Sequence, residues 1–196
     1  MPYLLALMLA LPTQEPAASP APVAPEETSP PTGSSPRTTD GQRIKEPRKT
    51  KHVSPEWPTN ALRAGLTGSV ILECVLGVDG RVETVKVLKG FRSLAQSASA
   101  AVRKWRYTTT ELDGKPVPVI MTITVNFRLQ EPPKRDDAMA ALRDSDPEVR
   151  WAGVRWLGRY RPVTADQKKA LESVRQDPSE MVRQAAQEAL AKLEAQ

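Results

Sequence analysis

The sequence predicts an α+β fold, a small antiparallel sheet with two helices, followed by an all-α tail of helical hairpins. Three observations predict it. Residues 119 to 129 alternate apolar and polar along their length, the period of a strand with one face on a core. Residues 94 to 107 repeat apolar side chains at helical spacing, as a helix lying on a sheet does. Beyond Pro132-Pro133 the pattern is wholly helical, and an internal repeat appears with a period of 31 to 33 residues.

The chain opens on an apolar run, Tyr3 to Leu11. A membrane-spanning helix needs about 20 apolar residues. Residues 1–11 instead read as a signal-peptide-like segment, with Met8-Leu9-Ala10 as a small-residue cleavage site. Residues 12–52 read as a disordered Pro-rich linker, because 12 of the 19 prolines fall before residue 59. Such a composition buries too little apolar surface to offset the entropy of ordering it. Pro12, Pro16, Pro20, Pro22, Pro25, Pro30, Pro31 and Pro36 are spaced too closely for helix or sheet. As polyproline II the linker would reach on the order of 130 Å, and folding is expected from about residue 53 onward.

The net charge is +5, with the basic excess in Arg37, Arg43, Lys45, Arg48, Lys49 and Lys51 and in residues 53–130. No Phe, Tyr or Trp is interleaved with that basic run, so it offers no stacking platform for bases, and no nucleic-acid partner is expected.

Residues 53–130 make the first folded unit. Asn60 to Ala64 followed by Gly65 reads as a short helix with a glycine stop, and Gly68 opens the next element. Ser69 to Val78 reads as a strand with Val70, Leu72, Cys74, Leu76 and Val78 on one face. Asp79-Gly80 predicts a tight hairpin, because both residues tolerate positive φ. Val82 to Leu88 is then the antiparallel partner, with Val85 and Val87 on one face. Leu94 to Tyr107 is the predicted second helix, burying Leu94, Ala98, Ala101, Val102 and Trp105. Asp113-Gly114 makes another turn. In the last strand Val119, Met121, Ile123, Val125, Phe127 and Leu129 face the core, whereas Thr122, Thr124, Asn126 and Arg128 face water.

In residues 134–196, Leu142, Asp146-Pro147, Val149-Arg150, Ala152 and Leu157 recur as Val174, Asp177-Pro178, Val182-Arg183, Ala185 and Leu190. Each unit is a helical hairpin. These residues resemble HEAT repeats, which implies that Asp-Pro starts the second helix of each unit. Two units are fewer than the three or so that stand alone, so the tail is expected to pack on the first unit or on a second copy, with Trp151 and Trp156 at the contact. Arg150 and Arg183 are expected to bridge neighbouring acidic residues.

Trp57-Pro58, Gly65 and Gly68, Asp79-Gly80-Arg81-Val82, Arg103-Lys104-Trp105-Arg106-Tyr107 and the alternating strand occur in the order in which the TonB C-terminal domain carries its landmarks, and residues 53–130 resemble that domain. The resemblance implies a non-enzymatic cell-envelope protein, periplasmic and anchored to the inner membrane or released. It would support energy-dependent transmembrane transport by taking a peptide segment of an outer-membrane receptor by strand addition. The physics needs no family. A strand edge offers unpaired N–H and C=O groups to any extended segment. Carried over by position, that edge is Val119, Ile120, Met121, Thr122, Ile123, Thr124, Val125, Asn126 and Phe127, and Trp57-Pro58 stands where the family's Tyr-Pro contacts the receptor. Inner-membrane motor proteins are implied as further partners, although the amino-terminal helix that couples to them is not visible here. Ser54 stands where part of the family has Gln. The alternative is a non-transducing periplasmic scaffold whose TonB-like unit forms a homodimer over that edge while the tail holds another protein.

No catalytic, cofactor or metal site is expected. Cys74 and His52 are the only cysteine and histidine, too few for a zinc site or a triad. Cys74, among aliphatics on one strand face, is expected to be an inert buried thiol.

Overall fold

The structure is a computed structural model that describes residues 26–28, 37, 38, 40, 41, 44 and 46–195. The signal-peptide reading of residues 1–11 lies outside them. In chain order the strands are β1 (Glu26–Thr28), β2 (Arg37–Thr38), β3 (Lys49–Lys51), β4 (Gly68–Leu76), β5 (Val82–Lys89), β6 (Arg106–Tyr107), β7 (Glu111–Leu112), β8 (Lys115–Pro116) and β9 (Val119–Phe127). The helices are α1 (Thr59–Arg63), α2 (Arg92–Val102), α3 (Arg135–Ala141), α4 (Pro147–Leu157), α5 (Ala165–Ser173) and α6 (Glu180–Glu194).

The main sheet runs β1-β9-β4-β5, with β2 also on β9, and its pairs are antiparallel. Its spine is β4 against β9, in register from Gly68↔Phe127 to Leu76↔Val119. Alternation turns Val70, Leu72, Cys74 and Leu76 of β4 and Val119, Met121, Ile123, Val125 and Phe127 of β9 to one face, where all are buried. Each such aliphatic contributes about 1.5–3 kcal/mol when fully buried. Leu94, Ala95, Ala98, Ala101 and Val102 of α2 close the core, together with Trp105.

Local chemistry sets the ends of these elements. At the C-terminus of α1, Leu66 N–H donates to Ala61 C=O and Gly65 N–H to Leu62 C=O, with Gly65 at φ +70°, which is a Schellman stop. Helix α2 ends at Val102, earlier than the predicted Tyr107, because Trp105 turns inward and Arg106–Tyr107 pairs with Lys49–Lys51. The indole of Trp105 is 1% exposed and its Nε1–H donates to Val53 C=O at 2.7 Å. The hairpin expected at Asp79-Gly80 joins β4 to β5, with a loop longer than that pair alone. Only Gly80 has positive φ, and Gly80 N–H bonds Gly77 C=O while Gly77 N–H bonds Arg81 C=O, so the loop spans Gly77 to Gly80. Val78 therefore leaves the core face and is 50% exposed. Val87, expected beside Val85 on one face, is 45% exposed and lines an open groove with Ala95 and Ser99 of α2. By contrast, Asp113 and Gly114 both take positive φ between β7 and β8.

In the tail, α3 packs on α4 and α5 on α6, two hairpins sharing the core of Val154, Leu157, Leu171, Val182, Ala186 and Leu190. The loops before α4 and α6 correct the repeat register. Arg150 Nη1–H donates to Asp144 C=O and Ser145 C=O, and Arg183 Nη1–H donates to Asp177 C=O and Pro178 C=O. Asp144 thus corresponds to Asp177, 33 residues on. The two Asp-Pro pairs are not equivalent. Asp146 caps α4, accepting from Glu148 N–H at 2.8 Å with Pro147 in the first turn, whereas Ser179 occupies the cap position of α6.

The tail packs on the sheet unit through the two tryptophans singled out from sequence. Trp156 Nε1–H donates to Gly65 C=O at 2.9 Å, and the Trp151 ring lies 5.1 Å from that of Phe91. A Cβ on Gly65 would sit 2.3 Å from Trp156 Nε1, so the glycine serves both the turn and the close approach. Glu148 of α4 accepts from Arg92 N–H at 2.7 Å and Ser93 N–H at 3.2 Å, capping α2 from across the seam. Asn60 of α1 donates to Asp144 at 2.9 Å.

Candidate functional site

The nine residues expected to form a binding edge, Val119 to Phe127, form the single strand β9. One side of β9 is consumed by β4. The other is lined by segments of the same chain: Glu26, Glu27 and Thr28 pair with Asn126, Val125 and Thr124, and Arg37 and Thr38 pair with Ile120 and Val119. Met121, Thr122 and Ile123 have no register partner in β1 or β2. The edge is thus not bare, and the stretch read as structureless linker supplies the strands on it. Dense prolines forbid a ladder strand in the middle of a sheet but permit short added strands at its margin, with Pro25, Pro30 and Pro36 flanking the paired residues.

Pairing changes burial on the outer face of β9. Thr124 and Asn126, expected in water, are 8% and 4% exposed, whereas Thr122 stays half-buried. The two buried residues are those opposite β1. Ser69 Oγ–H donates to Asn126 Oδ1 at 2.6 Å, which satisfies one of these groups.

Trp57-Pro58 reaches the same strand. The Trp57 ring meets Phe127 edge to face, 5.3 Å between centroids at 82°, so the motif sits at the C-terminal end of β9. Pro58 precedes the first turn of α1 and accepts from Leu62 N–H. Beside them a groove is lined by Ser54, Glu56, Gln96, Ala100 and Lys104. The Trp57 Nε1–H is buried there and lacks a hydrogen-bond partner among the described residues.

Cys74 is fully buried, and burial pushes its thiol up to about 12, well away from a thiolate nucleophile. Among the described residues no group of three His, Cys, Asp or Glu side chains is placed to hold a metal ion, and no helix is long and apolar enough to cross a membrane. Arg150 and Asp177 form a bidentate pair, Nε to Oδ2 and Nη2 to Oδ1 both at 2.8 Å, which holds the Asp177 carboxyl below the usual carboxylate range. Arg183 reaches carbonyls instead of the acidic partner expected for it.

A helix-backed antiparallel sheet whose last strand takes extended segments along its margin is a strand-addition architecture. Comparison with known proteins matches residues 53–129 to the family described as Gram-negative bacterial TonB protein C-terminal, and residues 119–194 to HEAT repeats. By these matches the chain carries a TonB C-terminal domain followed by HEAT repeats. Protein TonB of Xanthomonas campestris pv. campestris is 35% identical over 77 residues, 38% of this chain and 34% of that protein. Protein TonB of Vibrio cholerae serotype O1 is 32% identical over 80 residues, 40% of this chain and 33% of that protein. These matches span about a third of the relatives' own length. Among solved structures, the solution NMR structure of the Pseudomonas aeruginosa TonB C-terminal domain is 22% identical, covering 44% of this chain and 89% of that one with a TM-score of 0.38.

Proposed function

We propose that this protein is a cell-envelope binding module that takes an extended segment of an outer-membrane receptor on the margin of β9 and so supports energy-dependent transport across that membrane. The observation that carries this reading is that β9 already accepts two short segments of unrelated sequence, Glu26–Thr28 and Arg37–Thr38, on one margin. Backbone groups that pair with both will pair with a third. Trp57 and its groove, at the Phe127 end, supply the side-chain contacts that choose among segments. The TonB likeness supplies the partner class and the envelope location.

The test is an NMR titration of an isotope-labelled chain beginning at residue 46, which keeps β3 but lacks β1 and β2, with peptides from the N-termini of the host's outer-membrane receptors. Shifts concentrated on Val119–Phe127 and around Trp57 are expected. Saturating peptide that leaves these amides unmoved would sink the reading.

A second reading, a non-transducing scaffold that forms homodimers, draws on β5. It ends the sheet, and Val87 and Leu88 on it are 45% and 49% exposed. Sedimentation that shows concentration-dependent dimers, with amide shifts on β5, would favour it.

A further inference from the structure

We infer that β1 and β2 are a built-in competitor for the β9 margin, so that this chain binds its partner only by displacing its own Pro-rich segment. The inference rests on the reading that the β9 margin is the partner's site, and adds that the site is closed in cis.

Four observations place the competitor. The paired residues are on the margin itself, at Asn126, Val125 and Thr124 and again at Ile120 and Val119. The burial of Thr124 and Asn126 coincides with the β1 register, and Thr122, which has no partner in either segment, is more open. Thr38 is only 3% exposed, and Gly41 N–H closes a turn onto its carbonyl at 2.9 Å. Ile44 packs on the main core, and β3 pairs with β6, so the chain is pinned to the domain at successive points just after β2.

This pinning makes the competition effective. A segment tethered by a few residues faces its site at an effective concentration in the millimolar range. Even weak pairing then keeps the margin mostly covered, and an external segment binds with its affinity divided by the open fraction. The two pieces are not equal. β2 holds the buried Thr38 and is followed six residues on by the packed Ile44, whereas eight residues, 29–36, separate it from β1 although only three β9 residues separate their partners. β1 is therefore the piece that yields first, opening Thr124–Asn126 next to Trp57.

The experiment uses the full chain and the double variant Glu27→Pro with Thr28→Pro. Adjacent residues of a strand point their N–H groups to opposite sides, so one of the two prolines removes a donor aimed at β9 whichever the phase. Hydrogen exchange followed by NMR is read on alternate amides of β9, those facing away from β4. Protection is expected at the Thr124–Asn126 end in the natural chain and at least tenfold faster exchange in the variant, while amides between β4 and β5 stay unchanged and report that the fold is intact. A synthetic peptide of residues 24–40, added in trans, should bind the variant on the order of tenfold more tightly than the natural chain. Equal, fast exchange in both chains would overturn the competitor while leaving strand addition by receptor segments untouched. Equal, slow exchange in both would overturn it as well, since something other than β1 would then cover the margin. If the variant opens and binds the peptide but ignores every receptor segment, the competitor stands and the receptor reading falls. Should the β4–β5 amides also accelerate, Glu27→Gly with Thr28→Gly, which weakens pairing without fixing φ, repeats the comparison with the same expected and overturning results.

Discussion

The border of the sheet unit that meets the helical tail and the border along β9 are held by different parts of the polypeptide. At the tail, particular side chains meet: Trp156 with Gly65, Trp151 with Phe91, Glu148 with the first amides of α2 and Asn60 with Asp144. Along β9 the contacts are strand pairings to Glu26–Thr28 and Arg37–Thr38. Side-chain contacts at the tail specify one partner and exclude others, because each depends on shape and on buried groups finding their mates. Backbone pairing specifies geometry and tolerates sequence. The first kind of border suits a permanent joint, and the second suits an exchangeable one.

Substitutions can break this contrast, and the largest effect is expected within the tail. Asp177 and Arg150 are 6% and 13% exposed at the side chain. Asp177→Ala leaves a nearly buried guanidinium without its carboxylate and should cost about 3 kcal/mol, measured as a shift of the urea midpoint. The same pair makes a pH prediction. The Asp177 carboxyl is held low in the fold by Arg150, so its contribution is complete above the ordinary carboxylate pKa of about 3.9 and is lost as pH falls through the lower folded value. Stability should be flat from neutral pH to about pH 5 and fall below about pH 4, and Asp177→Asn should flatten that fall.

Next comes Gly65→Val. It adds a left-handed conformation penalty to a collision with Trp156, together about 3 kcal/mol, and should separate unfolding of sheet and tail into two calorimetric steps. Glu148→Ala removes the cap on α2 and should cost about 1 kcal/mol. The smallest change belongs to the other border. Glu27→Pro with Thr28→Pro should move the urea midpoint by less than about 0.5 kcal/mol, since it touches only a short added strand. A loss as large as that of Gly65→Val would show that β1 is a structural part of the sheet, and the contrast between the two borders would disappear.

Much of this fold was legible in the sequence. The alternation of β4 and β9, the stripe of α2, the glycine stop of α1 and the tail contact through Trp151 and Trp156 all follow from periodicity and composition, which act locally or demand burial. The misreadings share a cause. Val78 alternates in phase with β4 but belongs to a turn, because Gly77 begins the loop two residues before Asp79. Tyr107 ends the span that reads as helix but pairs with β3, a partner 56 to 58 residues away that no local pattern announces. At the candidate site the strand itself was readable, and so was Trp57 beside it. The occupants of its margin were not, since Glu26–Thr28 and Arg37–Thr38 carry no apolar alternation and stand among prolines. Their strand character comes from β9 rather than from themselves. The 33-residue register was legible in Val149-Arg150, Ala152 and Leu157 but blurred for a different reason: the conspicuous Asp-Pro pairs fall out of phase, while the equivalent aspartates, Asp144 and Asp177, are followed by different residues.

That register gives α1 a second identity. Asn60, in the first turn of α1, meets Asp144 in the loop before α4, and Arg150, in the first turns of α4, meets Asp177 in the corresponding loop before α6. To the repeats, the sheet unit looks like one more helix of their own kind. Duplicating a 33-residue block between the two hairpins would present each new junction with the same aspartate it already knows, so the span of the molecule can be reset in whole steps, like adding links to a chain, while the strand that meets the partner stays as it is.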